Sequence, residues 1–324
     1  MTALLVAGVV ALAGTPAVVW LAHRWSLIDE PNHRSSHSAP IPRGGGIAIV
    51  VAVIVAVVVA DGTSDAVIGA LAGAGLLGAT GLLDDRFGLP AMPRLLVQLV
   101  TPVVATLVVV DRTGVTLAVA VIVAAVAVPA YVNAFNFMDG INGISGTQAA
   151  IAGTLLAAVA HSRDLPNLQI AGLAVCGASL GFLPFNAVRP KIFLGDVGSY
   201  FLGFWLAALA LLLVDDGAPV VVIVAPFMLY LADTSTVLVR RARRGERLMD
   251  AHREHAYQRL TQAGWSHVSV TLLCAAVSGL AAIIMYVVLD SSLWLQVLAL
   301  LGCLALVAGY LALPEQIRRS GARA

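Results

Sequence analysis

The feature that most constrains this chain is its succession of long apolar runs. Crossing a hydrocarbon core of ~30 Å takes about 17–25 residues of helix. Runs of that order recur near 2–22, 45–60, 66–83, 95–110, 115–132, 146–160, 168–185, 199–214, 218–232, 268–288 and 292–313. Turn-forming segments separate them: DGTSD (61–65), DRTG (111–114), HSRDLPN (161–167), DDGAP (215–219) and DSS (290–292). Eleven spans predict an all-α polytopic integral membrane protein. Composition agrees, with 60% apolar and 11% charged residues, where soluble domains carry about 25% charged. These values exclude a soluble enzyme and a disordered tail. A net charge of +1 excludes a nucleic-acid binder.

The spans use most of the 324 residues, so a single transmembrane domain, 1–324, is expected. The first run has no basic segment before it and reads as a retained span. Cys176, Cys274 and Cys303 lie in apolar runs and read as small hydrophobes. Seventeen of the nineteen lysines and arginines fall on alternate loops beginning with 23–44, leaving only Arg112 and Arg163 opposite. By the positive-inside rule the N-terminus is expected outside and the C-terminus in the cytoplasm. The polar segments near 23–44, 84–94, 133–146, 186–199 and 233–267 then share the cytoplasmic face.

Those segments hold the residues capable of chemistry. Asp84 and Asp85 close the third span in GLLDDRFG, at a helix end that already carries negative charge. Two carboxylates ~4 Å apart repel by about 4 kcal/mol at an effective dielectric near 20. A cation, a proton or Arg86 must offset that. In NAFNFMDGINGISG (133–146), Asn133, Asn136 and Asp139 recur at three-residue steps, one face of a helix, and spaced glycines follow. Asp196 and Ser199 are expected just before a helix start, as anion-side groups or as simple caps. Phe193 could stack on a flat base or anchor in the interface. His33, His37 and Arg43 of the first loop could line an anion pocket. His252 and His255, three residues apart among arginines, suit phosphate better than metal. Together, four acids beside arginine and histidine match a diphosphate handled through Mg²⁺.

Five ordered blocks resemble one family across nearly the whole chain. They are DEPNHRSSHSAPIPRGGG, LLDDRFG with Arg94 and Gln98, NAFNFMDGINGISG, FLGDVGS, and ADT with the His-containing loop. The family is the polyprenyl-phosphate N-acetylhexosamine-1-phosphate transferases, the WecA/MraY-like glycosyltransferase family 4. The resemblance implies transfer of an N-acetylhexosamine 1-phosphate from a UDP-sugar to undecaprenyl phosphate, with release of UMP. It implies Mg²⁺, with Mn²⁺ as a substitute, at Asp196 and Asn136. Asp84 and Asp85 match the pair that activates or orients the lipid phosphate, and Asp139 matches a third essential carboxylate. Asn142 and Phe193 match uracil contacts, and Arg94 a phosphate contact; Asn133 is expected among the substrate-binding residues. Many relatives carry H-x-H-H in the last loop, where this chain reads Glu254-His255-Ala256-Tyr257-Gln258. That leaves His255, with His252 and Arg253, to meet the sugar phosphate. The form resembles the subgroup that begins O-antigen and other surface polysaccharides, often on 6-deoxy sugars such as FucNAc or QuiNAc. Expected partners are undecaprenyl phosphate, the UDP-N-acetylhexosamine and the lipid bilayer, with no nucleic acid and with room for a homodimer. The alternatives are the phospho-MurNAc-pentapeptide transferase of peptidoglycan synthesis and, in another class, a proton- or cation-coupled transporter.

Overall fold

A computed structural model describes residues 1–30, 40–109, 114–247 and 252–321. His33, His37 and the expected turn over 111–113 lie outside the described residues. The chain runs through helices α1 (Thr2–Arg24), α2 (Gly46–Val59), α3 (Asp65–Phe87), α4 (Ala91–Val109), α5 (Gly114–Met138), α6 (Ile144–Ser162) and α7 (Pro166–Asn186). Then follow α8 (Gly195–Asp215), α9 (Val220–Ile223), α10 (Met228–Arg243), α11 (Ala256–Gln262), α12 (His267–Val287) and α13 (Leu293–Gly321). Between α1 and α2, strands β1 (Ile28–Asp29) and β2 (Ile41–Pro42) pair antiparallel, Ile28 opposite Pro42.

Among the described residues ten helical segments are long and apolar enough to cross a membrane. The eleventh expected span, 45–60, is α2, which has only 14 residues. It stops because the chain turns at Asp61 (φ 55°), where the Gly62 amide donates to the Val57 carbonyl. The expected span 218–232 is also different. It breaks into α9, a 3₁₀ turn at Ala225–Phe227 around Pro226, and α10. Nor does the polar segment from 233 begin as a loop, because α10 continues to Arg243. Charge ended the apolar run there, whereas burial of Asp233 and Val237 keeps that helix on the core.

Small residues set how the helices cross, as in membranes generally, where close backbone approach replaces a hydrophobic drive. α8 is the most enclosed span. α3 lies against it with Gly73 on the Phe204 ring and Gly81 on the Asp196–Val197 backbone. A methyl at Gly46, where α2 begins, would lie 2.2 Å from the Gly198 Cα. These crossings bring the last turns of α3 and α5 and the first turn of α8 to one end of the bundle. Trp20, Trp25 and Phe87 are exposed near that end, as aromatic residues are at a membrane interface.

Candidate active site

Asp84 and Asp85 occupy the last turn of α3, where successive side chains diverge by about 100°. They serve two different neighbourhoods. Asp85 turns to the start of α8, and its Oδ2 accepts a hydrogen bond from the Val197 amide at 3.1 Å. The carboxylate therefore caps α8 from another helix and meets its positive end. Arg43 stands beside it, Nε 3.7 Å from Oδ1, and donates through Nη2 to the Asp85 carbonyl. Asp84 turns the other way. Its Oδ1 accepts from the Leu89 amide at 2.8 Å, and its Oδ2 accepts from Arg94 Nη1 at 2.5 Å and the Tyr200 hydroxyl at 3.2 Å. Arg86, expected as the pair's counter-charge, instead donates to the Trp25 carbonyl. Arg43, Arg94 and the α8 terminus do that work.

Asp196 lies in the first turn of α8 and Ser199 just after it, rather than before the helix. Asn136 donates its amide to Asp196 Oδ1 at 2.7 Å and to Ser199 Oγ at 3.0 Å. Asn133, one turn earlier, donates to Gln98 Oε1 at 2.6 Å and to the Pro129 carbonyl, tying α5 to α4. The expected three-residue stripe stops there, because α5 ends at Met138 and Asp139 follows in the turn. Burial raises the Asp139 carboxyl to a pKa of about 7, and the charge of Asp85 adds to that.

Asp85, Asp139 and Asp196 line one cavity of about 340 Å³, together with Arg43, Arg253, Asn142, Asn186 and Phe193. Gln258, Thr261 and Gln262 of α11 form its far wall. Asp84, Arg94, Asn133 and Asn136 do not line it; they stand behind the residues that do. Nor does His255, whose ring is buried with Nδ1 3.2 Å from Asp233 Oδ1. His252 lies with its ring centroid 5.0 Å from that of His255. Burial, then the charges of His255 and Arg241, lowers its pKa. A larger cavity of about 410 Å³ between α3, α4, α5 and α8 is almost wholly apolar and remote from these groups.

Several participants were not singled out from sequence. Asn186 accepts from the Gly143 amide at 2.8 Å and donates to the Ile192 carbonyl at 3.0 Å, so it fixes the two loops carrying Asn142 and Phe193. Its only signal was an amide closing an apolar run. Tyr200 and the α11 wall gave none.

The donor set suits a hard cation. Among the described residues no three acids or histidines already form a metal cage. Mg²⁺ needs none, since it is commonly held by one or two carboxylates plus substrate phosphate and water. Asp196 and Asp85 present such oxygens to the cavity. Asn136, expected as a direct ligand, donates its amide to Asp196 Oδ1 and so stands against the carboxylate expected to share that role.

The family profile described as "Glycosyl transferase family 4" matches residues 67–214, a stretch from α3 to α8 that holds all four acids. The chain is 28% identical over 296 residues to a probable undecaprenyl-phosphate N-acetylglucosaminyl 1-phosphate transferase of Bacillus subtilis, covering 87% of this chain and 83% of the relative. It is 30% identical over 328 residues to the decaprenyl-phosphate N-acetylglucosaminephosphotransferase of Mycobacterium tuberculosis, covering 86% and 80%. A phospho-N-acetylmuramoyl-pentapeptide-transferase of Clostridium beijerinckii is 32% identical over 166 residues, covering 49% of this chain and 48% of the relative. With the site's acids inside the matched stretch and relatives matching over most of their length, this multi-pass membrane protein belongs to glycosyl transferase family 4, the WecA/MraY-like polyprenyl-phosphate N-acetylhexosamine-1-phosphate transferases.

Proposed function

We propose that the protein transfers an N-acetylhexosamine 1-phosphate from a UDP-sugar to undecaprenyl phosphate and so initiates a surface polysaccharide. The observation that carries this is the convergence of Asp85, Asp139 and Asp196 with Arg43, Arg253, Asn142 and Phe193 on one cavity. An oxygen of the lipid phosphate attacks the β-phosphorus of the donor. The new P–O bond forms as the bond to UMP breaks, and UMP leaves with its electron pair. Phe193 stacks on uracil and Asn142 hydrogen-bonds its edge. Arg43 and Arg253, which both line the cavity, take the donor's phosphate charge. Arg94, paired with Asp84 and close to the Tyr200 hydroxyl, lends positive charge to the lipid phosphate from behind the cavity wall. Asp196 and Asp85 would hold Mg²⁺, which would supply charge neutralisation for the phosphoryl oxygens and the departing UMP.

The lopsided distribution of lysine and arginine supports a cytoplasmic site in the bacterial inner membrane. N-acetylglucosamine donors are favoured by relatives that match over most of their length, whereas the 6-deoxy sugars FucNAc and QuiNAc rest only on the form of the last loop. The pentapeptide-transferase reading rests on a match to half the chain. A transporter would place acids along a path through the membrane, whereas these gather at one end. The test is purified protein in lipid with undecaprenyl phosphate, Mg²⁺ and a panel of UDP-N-acetylhexosamines. One donor should yield butanol-extractable product with equimolar UMP, and Asp196→Ala should yield none. Folded wild-type protein that releases no UMP from any donor would remove the reading.

A further inference from the structure

The far wall of the cavity is α11, a helix of seven residues, too short to hold its shape alone. What fixes it is a buried carboxylate that the proposed reaction does not use. Asp233, on α10, is 1% exposed. Both of its oxygens accept from the Ala256 amide, each at 3.0 Å, at the first turn of α11. Oδ1 also meets His255 Nδ1 at 3.2 Å, and Oδ2 accepts from the Tyr310 hydroxyl at 3.0 Å. Tyr310 belongs to α13, 77 residues away in sequence.

A buried carboxylate is tolerated when donors satisfy it, and here donors from two other elements converge on it. The same carboxylate answers the otherwise unpaired Ala256 amide at the α11 N-terminus. Its contact with Nδ1 fixes the orientation of the His255 ring. Beside it, the Tyr257 hydroxyl donates to the Phe137 carbonyl at 2.9 Å, just before Asp139. α11 is thus fastened to the bundle at its start, while Gln258, Thr261 and Gln262 face the cavity.

We propose that Asp233 and Tyr310 are positioning residues that hold α11 as the donor-side wall of the site, so that a residue of the last transmembrane helix governs affinity for the nucleotide sugar. Neither touches substrate; both act through α11 and His255. The assignment of the cavity to the donor rests on the function proposed above.

The experiment uses full-length protein in lipid nanodiscs and two readouts. Hydrogen exchange of peptides spanning 255–262 reports how firmly α11 is held and needs no turnover. Steady-state kinetics separates the donor KM from the acceptor KM and kcat. Tyr310→Phe removes one hydroxyl and keeps the ring; Asp233→Asn removes the charge. With Tyr310→Phe, exchange over 255–262 should quicken by about tenfold, the order expected for losing a hydrogen bond to a charged group. The donor KM should rise by a similar factor, with kcat, the acceptor KM and the thermal midpoint unchanged. Asp233→Asn should move both readouts further in the same direction. Trp205→Phe, a buried change in α8, should lower the midpoint without touching the donor KM. Unchanged exchange over 255–262 in Tyr310→Phe overturns the inference, as does faster exchange with an unmoved donor KM. If wild-type protein transfers nothing from any UDP-sugar, the proposed function fails separately, and exchange alone then decides whether Asp233 and Tyr310 fasten α11.

Discussion

The crossing of α3 over α8 can be tested by adding one methyl group. A Cβ at Gly81 would stand 2.2 Å from the Asp196 carbonyl oxygen and 2.6 Å from the Val197 nitrogen. Both are backbone atoms at the start of α8, with no rotamer to turn aside. Restoring ordinary contact at ~3.5 Å requires the helices to part by about 1 Å. The hydrogen bond from the Val197 amide to Asp85 Oδ2, 3.1 Å in the native protein, would then open to about 4 Å and be lost. Overpacking of this kind costs about 1–3 kcal/mol, and a 1 Å misplacement of catalytic groups can cost about 10²-fold in rate. Gly75, in the same helix, has nothing within 4 Å of the equivalent position. Gly75→Ala should therefore gain about 1 kcal/mol of helix propensity and keep its activity. Thermal unfolding followed by tryptophan fluorescence, together with UMP release, measures both variants side by side. Gly81→Ala should have the lower midpoint of the two and at most a few per cent of wild-type turnover. If it matches Gly75→Ala in both, the claim that backbone contact at Gly81 sets the acids in place is wrong.

Three further outcomes are expected. Asp85→Asn keeps an acceptor for the Val197 amide but removes the charge beside Arg43, so stability should fall by only about 1 kcal/mol while UMP release falls at least a hundredfold. The raised pKa of Asp139, about 7, lies above its value of about 3.9 in an unfolded chain. Without divalent cation, stability should then be greatest below pH 4 as far as this group is concerned. It should decline by ~1.4 kcal/mol per unit as pH rises toward 7, and Asp139→Asn, compared by pH-dependent thermal midpoints, should abolish that decline. At the other end of the bundle Arg163 and Asp216 form a partly exposed pair, Nε to Oδ2 3.4 Å. Arg163→Ala should change stability by less than about 0.5 kcal/mol and leave transfer rates unchanged.

The length of the apolar runs made most spans legible, because a bilayer admits few alternatives to a long helix, but it also promised an eleventh where α2 has only 14 residues. Site chemistry was legible where one residue type has few uses, as with adjacent acids at a helix end or an aspartate after FLG. What stayed hidden was direction and pairing. Adjacent Asp84 and Asp85 read as a pair, yet a helix turns by about 100° between them, and their partners come from Arg43 just after β2, from α4 and from α8. Arg86 is the nearest arginine in sequence and faces the Trp25 carbonyl. Distance along the chain carries no weight once helices pack. Asp233 shows the reverse error. A charge following an apolar run reads as the run's end, but three donors from far along the chain make its burial tolerable. His255 reads as a ligand for phosphate because histidine in a basic loop commonly is one; the fold adds that its Nδ1 lies against Asp233, 22 residues away.

The brevity of α2 has a consequence for the lipid substrate. Fourteen residues of helix rise only about 21 Å, some 9 Å less than the hydrocarbon depth of a typical bilayer. Its first residue, Gly46, is pinned beneath the segment carrying Phe193 and Leu194, whose carbonyls accept from the Gly45 and Gly46 amides. Either the leaflet is pinched here or the chamber sinks into it. Under the transfer proposed above, a prenyl chain would stay among neighbouring lipids throughout the reaction, and the water-soluble nucleotide would make the descent.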